Sequence, residues 1–439
     1  MSIVEAVKTA GIIGAGGAGF PTHVKLSSKA EWVIANCAEC EPLLKVDQQT
    51  SRLQAVKLVR GLIIAAEAVG AVKFGIAIKE KHKETISALE RAIYGTSAEI
   101  YKLQDYYPAG DEFSIVYEVT GRIIPEGGRP TDCGCLVQNV ITLIQIAEAV
   151  DEEKPVLSRP ITISGAVRNP ITVVTPIGTP LEFCIESAGG AEVSDFVVID
   201  GGPMMGKFVD LKKASVTKRT SGFLVFPREH RYVQRRMMKP DEHQKIARSA
   251  CDQCNLCSDY CPRNLLGHRC WPSRVMRSGL TANPKPDDIL NAFLCSECGL
   301  CSLWACPIPL PVREMMVQTR LALRKHEVKN PFRNQEVEPN KFIANRKVPV
   351  HVLMDKIGIT DLDSPAPFSG EPLFPGRLRI QLNAHAGSPA LPKKSVGNSV
   401  ARGEVIAEPS EGALGAKYHS PIDGKVLNIS DNILEIGVS

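Results

Sequence analysis

Eight cysteines of this 439-residue chain fall into two runs of the same design, and cysteine thiolates are good ligands for soft metals. In each run three cysteines are separated by two residues, and a fourth cysteine follows directly before a proline. This spacing lets one tight loop wrap a face of an iron–sulfur cubane. The runs are Cys251, Cys254, Cys257 and Cys261-Pro262, and then Cys295, Cys298, Cys301 and Cys306-Pro307.

Together the two runs predict two [4Fe–4S] clusters with exchanged fourth ligands, because the last cysteine of such a run binds the other cluster. We assign Cys251, Cys254, Cys257 and Cys306 to the first cluster, and Cys295, Cys298, Cys301 and Cys261 to the second. Zinc is the alternative, but zinc sites use paired CxxC units without a third evenly spaced cysteine. The second run has four residues, 302–305, before its last cysteine, so its local geometry stays open.

A glycine loop near the N-terminus, Gly14-Ala-Gly-Gly-Ala-Gly19, is the next candidate for chemistry. Glycines let backbone N–H groups approach a phosphate closely. An ordinary Rossmann site would need a strand before the loop and an acid about twenty residues later. Residues 4–10 are patterned as a helix and Glu39 falls in a turn, so a different phosphate-binding loop is favoured. A tight turn without a ligand is the remaining alternative.

Four regions of the chain must position these motifs. Residues 1–150 alternate apolar strands and helices, which predicts a mainly parallel sheet closed by a helix over residues 138–150. Residues 156–228 predict a small sheet domain, and a basic connector over residues 230–240 leads to a helical region around the cysteines at 241–330. Residues 349–439 return to short strands with Gly and Pro turns, which predicts a compact β sandwich.

Charge and hydropathy argue against several classes of protein. The 52 Lys plus Arg and 48 Asp plus Glu leave a formal net charge of +4, which does not indicate a nucleic-acid partner. No apolar stretch reaches the roughly 18–20 residues of a transmembrane helix, and no basic signal-peptide region opens the chain. We therefore expect a cytoplasmic protein whose cysteines serve metal binding and not disulfides.

Several blocks of sequence carry a family resemblance. The glycine loop with Lys25, and the acidic turn Asn36-Cys-Ala-Glu-Cys-Glu-Pro42, resemble the flavin site of the NADH-oxidising subunit of respiratory complex I. The chain more closely resembles the C subunit of Rnf electron-transport complexes, through Tyr107-Pro-Ala-Gly-Asp-Glu112 and Gly127-Gly-Arg-Pro-Thr-Asp132. Residues from about 372 onward resemble the barrel-sandwich domain that Rnf C subunits carry at their N-terminus. Its C-terminal position is similar to that in cobalamin reductases of propanediol-utilisation microcompartments.

The resemblance implies a multidomain α/β plus β fold. Its parts are a Rossmann-like FMN and NADH-binding domain (1–150), an SLBB β-grasp domain (156–228), a ferredoxin-like domain with two [4Fe–4S] clusters (241–330) and a barrel-sandwich hybrid (349–439). It also implies that Glu39 and Glu41 line the flavin ring or nicotinamide as catalytic residues. The residues implied in cofactor binding are Gly14, Gly16, Gly17, Ala18, Gly19, Phe20, Thr22, Lys25, Asn36, Gly127, Gly128 and Asn139.

The activity implied is transfer of electrons from NADH through flavin and clusters to cobalamin, toward cob(I)alamin. The implied partners are a corrinoid adenosyltransferase or a cobalamin-dependent enzyme and the shell proteins of a bacterial microcompartment, inside or beside which the protein would lie. The alternative is a peripheral NADH-oxidising component of an Rnf-type membrane complex. A scaffold that holds clusters without turnover is a third candidate.

Six cysteines lie outside the cluster runs. Cys37 and Cys40 fall in the acidic turn where complex I has other residues, and we interpret them as inert thiols. Cys133, Cys135 and Cys184 receive the same interpretation, and Cys270 is interpreted as a small buried apolar residue. The chain contains no corrinoid-binding DxHxxG motif, so the resemblance leaves the corrinoid-contacting residues unassigned.

Overall fold

The computed structural model describes residues 1–238, 246–247, 249–279, 281, 283–308 and 310–438. Four regions carry its sheets and helices, in the order that the sequence predicts. The predicted start of the cysteine region at residue 241 and the end of the connector at Pro240 lie outside the described residues. In the described parts, no helix combines the length and the apolar character that crossing a bilayer requires.

The N-terminal region is built on four parallel strands in the order β3-β2-β1-β5. Asn36 at the end of β1 stands beside Asn139 at the end of β5. β2 and β5 lie on opposite sides of β1, so the strand order reverses at β1. Open α/β sheets bind ligands in the crevice at such a point, which here lies at the carboxyl ends of β1 and β5. The strands are β1 Trp32–Cys37, β2 Lys73–Lys79, β3 Glu99–Leu103, the separate short β4 Tyr106–Tyr107, and β5 Cys135–Asn139.

Apolar side chains on both faces of this sheet pack against helices. Val33 and Ala35 of β1 belong to one core and Ile34 to the opposite one, as the two-residue period of a strand requires. The longest helix ends where Gly70 takes a left-handed conformation with φ +69°. The helices are Ile3–Thr9, Thr22–Leu26, Val46–Leu53, Ala55–Val69, Lys83–Ile93, Glu112–Thr120 and Val140–Asp151, with a 3-10 turn at Pro130–Cys133.

The second region is a mixed five-stranded sheet in the order β7-β6-β10-β8-β9. β6 and β10 are parallel and the other neighbours are antiparallel. Helix Leu181–Ser187 packs against one face and buries Leu181 and Ile185 in the core of this domain. The strands are β6 Ser158–Gly165, β7 Ile171–Pro176, β8 Phe196–Asp200, β9 Lys207–Val209 and β10 Gly222–Pro227.

Short helices surround the cysteine runs, and three of them begin with a proline at the first helical turn, where no N–H is needed. A π-helical turn, Cys301–Ala305, follows the third cysteine of the second run. The remaining helices are Arg231–Met237, Leu256–Asp259, Pro262–Leu265, Pro272–Ser278, Pro286–Leu290 and Val312–Lys325, with a 3-10 turn at Asn291–Leu294.

The C-terminal domain consists of two small antiparallel sheets that enclose an apolar core. Before it, β11 (Val348–Pro349) pairs with β4, and helix Val350–Ile357 packs into a core shared with Leu43 and Tyr232. The two sheets have the orders β12-β18-β17-β14 and β13-β15-β16. The strands are β12 Arg377–Gln381, β13 Leu391–Pro392, β14 Ser399–Val400, β15 Val405–Glu408, β16 Tyr418–His419, β17 Gly424–Ser430 and β18 Ile433–Val438.

One sequence-based boundary is wrong, and the connector holds a helix that the sequence analysis did not predict. The closing helix begins at Val140 and not at residue 138, because Gln138 and Asn139 continue β5 and the Asn139 side chain caps the helix by accepting from the N–H of Ile141. The basic connector contains helix Arg231–Met237. Tyr232 of this helix is buried. Arginines flank it in the sequence, so the sequence pattern did not indicate an apolar face.

We expect Gly61→Ala to destabilise the fold, although alanine normally stabilises a helix. A Cβ at Gly61 would lie 1.8 Å from the carbonyl oxygen of Leu143, where helices Ala55–Val69 and Val140–Asp151 cross. Chemical denaturation should show a loss of about 1–3 kcal/mol in the free energy of unfolding. Glu67→Ala, on the exposed face of the same helix, is the control and should change it by less than about 0.5 kcal/mol. Equal stabilities would contradict the close helix contact.

Candidate functional site

The glycine loop presents free backbone donors to solvent. Its ends are held because the N–H of Gly14 donates to the Phe20 carbonyl and the N–H of Ala15 donates to Thr142 Oγ1, both at 2.9 Å. Gly16, Gly17 and Ala18 at the tip are exposed, and their N–H groups donate to no acceptor among the described residues. Such a row of free N–H groups suits an anion. As the sequence predicts, the segment before the loop is a helix, Ile3–Thr9, and not a strand.

One edge of the loop packs against the carboxyl ends of the parallel strands. A Cβ at Gly16 would lie only 2.8 Å from Asn139 Nδ2, so a larger residue here would displace the Asn139 side chain. Asn139 also donates to Asp47 Oδ2 at 2.7 Å. The structure therefore brings the glycine loop, the end of β5 and the start of helix Val46–Leu53 together at the predicted crevice.

The opposite edge of the loop is covered by the second and fourth regions. The Gly19 carbonyl accepts a hydrogen bond from the N–H of Ala386 at 3.0 Å, and the Arg219 side chain lies against Gly19. Buried Lys218 donates to the carbonyls of Gly11 and Lys417 at 2.7 and 2.6 Å. Burial lowers the pKa of Lys218 to about 7. The C-terminal domain is thus anchored on the N-terminal helix and loop.

Arg159 on β6 is a fully buried cation beside the loop. Its Nη2 donates to the Ala15 carbonyl at 3.4 Å, Nη1 donates to the Lys218 carbonyl, and Nε is buried without an acceptor among the described residues. Burial lowers the pKa of Arg159 to about 10, although the charges of Asp47 and Asp200 oppose this shift. An incompletely satisfied buried cation beside free N–H groups fits a loop that holds a phosphate.

Glu39 and Asp47 form a pair of acids under the loop. The Glu39 carboxylate accepts from the N–H groups of Asp47 and Gln48 at 3.3 and 3.4 Å, at the start of helix Val46–Leu53. Burial and the neighbouring Asp47 charge raise the pKa of Glu39 to about 8. Burial likewise raises the pKa of Asp47 to about 6. Raised carboxyl pKa values in a crevice are common at functional sites.

Glu41 faces a different neighbour. Its carboxylate accepts from the N–H groups of Met204 and Met205 in the β8–β9 loop, both at 2.9 Å. Burial raises its pKa to about 7. A Cβ at Gly202 would lie 2.1 Å from Glu41 Oε2, so the loop must carry glycine there. Glu41 thus ties the acidic turn to the second region.

The other implied cofactor residues lie in several places. Asn36 donates to the Gly110 carbonyl at 2.9 Å, and Lys25 pairs with Glu112 at 3.0 Å. Thr22 Oγ1 is buried without a partner among the described residues. Gly127, with φ +70°, packs against the Phe332 carbonyl beyond the cysteine runs, and a Cβ at Gly128 would lie 2.9 Å from Asp132 Oδ2. The structure brings Gly16, Asn139 and Glu39 together around Asp47, while Gly127 faces the cysteine region.

The structure places Cys306 with the cysteines of the first run and Cys261 beside Cys295, while Cys301 shares an apolar cluster with Cys257 and Cys306. Cys251, Cys254, Cys257 and Cys306, which we call the first set, line one open cavity. In the second set, Cys295, Cys298, Cys301 and Cys261, the last member shares an apolar cluster with Cys295. A cavity bordered by four thiols suits a cubane held at its corners. The π-helical turn Cys301–Ala305 accommodates the extra residue, so Cys306 still reaches the first set.

The second set lies against the acidic turn. Tyr107 Oη donates to the Cys298 carbonyl at 2.7 Å. A Cβ at Gly299 would lie 3.1 Å from the Met204 carbonyl oxygen, next to the N–H groups that bind Glu41. By contrast, Cys254 of the first set is exposed. The second set is therefore the inner one and the first set is the outer one.

Comparison with protein families agrees with this layout. Residues 7–148 match the Nuo51 FMN-binding domain, and residues 160–208 match the SLBB domain. Residues 250–311 match the 4Fe-4S dicluster domain, and residues 370–437 match the RnfC barrel sandwich hybrid domain. The α/β, β-grasp, cluster and barrel-sandwich parts of the predicted fold are thereby confirmed.

Comparison with curated proteins covers the whole chain. It is 39% identical to cobalamin reductase PduS of Citrobacter freundii over 99% of this chain and 96% of that protein. It is 40% identical to cobalamin reductase PduS of Salmonella typhimurium over the same shares. The chain belongs to the cobalamin reductase PduS family. The C subunit of the Na⁺-translocating ferredoxin:NAD⁺ oxidoreductase complex of Acetobacterium woodii is 39% identical, over 60% of this chain and 58% of that protein.

Sequence reasoning missed several residues of this PduS-family site. Asp47 could have been found as an acid at the start of the helix that follows the acidic turn. Arg159 and Lys218 gave no signal, because a single cation in a strand or turn is normally on the surface. Their burial results from the packing of three regions on the glycine loop.

The cysteines outside the two sets are mostly buried. Cys37 donates to Ser51 Oγ at 3.1 Å, and burial raises the pKa values of Cys37 and Cys40 to about 12. Thiols with such pKa values are poor nucleophiles at neutral pH. Cys184 is fully buried in the core of the SLBB domain, and Cys270 is fully buried near the second set. The interpretation of Cys37 and Cys40 as inert thiols agrees with these surroundings.

We expect Glu39→Gln to flatten the pH dependence of stability. Because the pKa of Glu39 is raised to about 8 in the folded protein, the neutral carboxyl is favoured there. Its contribution to stability is full below the unfolded pKa of roughly 4.3 and is lost as the pH rises toward 8. Anaerobic thermal unfolding should therefore show a smaller fall in Tm between pH 5.5 and 8.5 for Glu39→Gln than for wild type.

The control for this experiment is Glu67→Gln, which changes an exposed carboxyl on helix Ala55–Val69. It should keep the wild-type pH dependence. If Glu39→Gln and wild type lose Tm in parallel, the Glu39 carboxyl is not held neutral in the folded protein.

Proposed function

We propose that the protein is an NADH-dependent flavin and iron–sulfur oxidoreductase that reduces cobalamin toward cob(I)alamin. The observation that carries this proposal is the full-length similarity to two cobalamin reductases, at 39% and 40% identity over 96% of their length. It includes the C-terminal position of the barrel-sandwich domain at residues 370–437. FMN and two [4Fe–4S] clusters are the cofactors, consistent with the matching FMN-binding and dicluster domains.

The glycine loop and its neighbours would hold FMN. The free N–H groups of Gly16, Gly17 and Ala18 suit its phosphate, and Arg159 supplies positive charge behind the loop. Flavin supplies the chemistry that accepts the two electrons of a hydride and releases them one at a time. Asn36 and Glu39 at the carboxyl edge of the sheet would line the ring or the nicotinamide, and Lys25 stands nearby paired with Glu112.

Glu41 has a positioning role in this proposal. Its two hydrogen bonds to the β8–β9 loop keep the acidic turn against the second cysteine set. The eight cysteines of the two sets would bind the clusters, the second set inside and the first set at the surface. The surface position suits a set that passes electrons to an external acceptor.

The Rnf-type alternative has less support. The similarity to the C subunit of the Acetobacterium woodii complex extends over only 58% of that protein. In the cobalamin reductase proposal the partners are a corrinoid adenosyltransferase or a cobalamin-dependent enzyme, and the protein works in or beside a microcompartment shell. The near-balanced net charge of +4 suits a small cofactor or a protein as acceptor and not a polyanion.

We expect Gly17→Glu to remove FMN while leaving the fold intact. A Cβ at Gly17 meets no described atom within 4 Å, so the new side chain has room, and its carboxylate would compete with phosphate for the free N–H groups. The FMN affinity, measured by flavin fluorescence, should fall by about tenfold or more. Gly17→Ala is the matched control and should retain FMN, and iron content should stay unchanged in both. Equal FMN affinity in the two variants would show that the phosphate lies elsewhere.

The acceptor is tested with the anaerobically purified protein. It should contain about eight irons and one FMN per chain. NADH oxidation should be coupled to cob(III)alamin reduction, followed by the visible absorbance of the corrinoid, and should be faster than with a quinone or a ferredoxin. Turnover with ferredoxin but not with cobalamin would favour the Rnf-type function. Iron near zero with stoichiometric zinc would refute the clusters themselves.

A further inference from the structure

Cys270 lies against a proposed cluster ligand without belonging to either set. Its side chain is fully buried, and its Sγ lies 3.7 Å from Sγ of Cys261. Val275 and Ala292 belong to the same buried apolar cluster as the pair, so little solvent competes for the thiol. If Cys261 binds iron as a thiolate it carries no proton, and Cys270 is then the member of the pair that can donate an S–H hydrogen bond.

Arg320 is a second donor beside the same set. Its Nη1 donates to the Cys295 carbonyl at 2.8 Å, and its Nη2 pairs with Glu297 between two of the cysteines. Its Nε is buried without an acceptor among the described residues. The guanidinium of Arg320 is therefore held by the loop that carries Cys295, and its Nε–H remains available to a sulfur atom.

Two further arginines near the second set are also paired with acids. Arg263 forms two hydrogen bonds with Asp111, and Arg313 pairs with Glu314 at 3.4 Å. The backbone N–H of Glu297 already donates to Cys295 Sγ at 3.3 Å, and the Cys270 thiol and the Arg320 Nε are two side-chain donors beside the same set. Around the first set, the cavity is lined by apolar side chains such as Met276 and Leu310 and also by the polar side chains of Ser273 and Arg277.

We propose that Cys270 and Arg320 are positioning residues that donate hydrogen bonds to the sulfurs of the second cluster and make that cluster easier to reduce. Reduction adds negative charge to a cluster, and donors to its sulfurs stabilise that charge, which raises the reduction potential. This inference rests on the proposed function, because it requires the second set to bind a [4Fe–4S] cluster. It assigns a role to a cysteine that sequence interpretation treated as a small apolar residue.

The test is a redox titration of the purified holoenzyme followed by electron paramagnetic resonance. Wild type should show two midpoints. Cys270→Ala removes the donor and should move one of the two midpoints to a more negative value, while Cys270→Ser keeps a donor and should stay close to wild type. Arg320→Gln should move the same midpoint in the negative direction. All three variants should retain about eight irons.

Two controls separate tuning from general damage. Cys184→Ala removes an equally buried thiol in the SLBB domain, and Arg324→Gln removes an exposed cation one turn further along helix Val312–Lys325. Neither should move a midpoint. If both midpoints of Cys270→Ala equal those of wild type, or if that variant loses about half of its iron, the inference is overturned. Absence of clusters from wild type would instead overturn the proposed function.

Discussion

Glu41 accepts two backbone hydrogen bonds from Met204 and Met205, and the Met204 carbonyl in turn packs on Gly299 between two cysteines of the second set. Tyr107 adds a hydrogen bond to the carbonyl of Cys298. Segments from three domains thus meet at one half-buried carboxylate. Electron transfer weakens steeply with distance, so a flavin site and a cluster site can cooperate only if such a contact holds them together. The raised pKa of Glu41, about 7, is a consequence of that burial.

A second contact explains why the C-terminal domain can occupy its place. Lys218 is buried with no described carboxylate bonded to it, and its ammonium donates to carbonyls of the first and fourth regions while lying 4.4 Å from the centre of the Tyr418 ring. Burying an ammonium is costly, and these acceptors and the ring offset part of the cost. The docking depends on spatial contacts and not on chain order, so a barrel-sandwich domain at the C-terminus can cover the glycine loop.

Local patterns predicted much of this architecture. The three-residue spacing of the cysteines and the prolines after them indicated cluster loops, and the structure places Cys306 with the cysteines of the first run. The alternation of apolar strands and helices predicted the parallel sheet, and the helical pattern before the glycine loop argued against an ordinary Rossmann turn. The wrong start predicted for helix Val140–Asp151 also has a local cause. Asn139 is both the end of a strand and a helix cap, and a periodicity argument cannot separate the two.

The sequence by itself determined the chemistry of the protein: thiolates spaced for iron, glycines spaced for a phosphate, and a domain order similar to that of cobalamin reductases. These properties are encoded by residue types over short distances. Only the tertiary structure decided which groups surround that chemistry. The burial of Arg159 and Lys218, the contact of Glu41 with the β8–β9 loop and the position of Cys270 beside Cys261 all depend on how the chain packs in space. Their pKa values and hydrogen bonds follow from desolvation, and desolvation exists only once the domains have packed together.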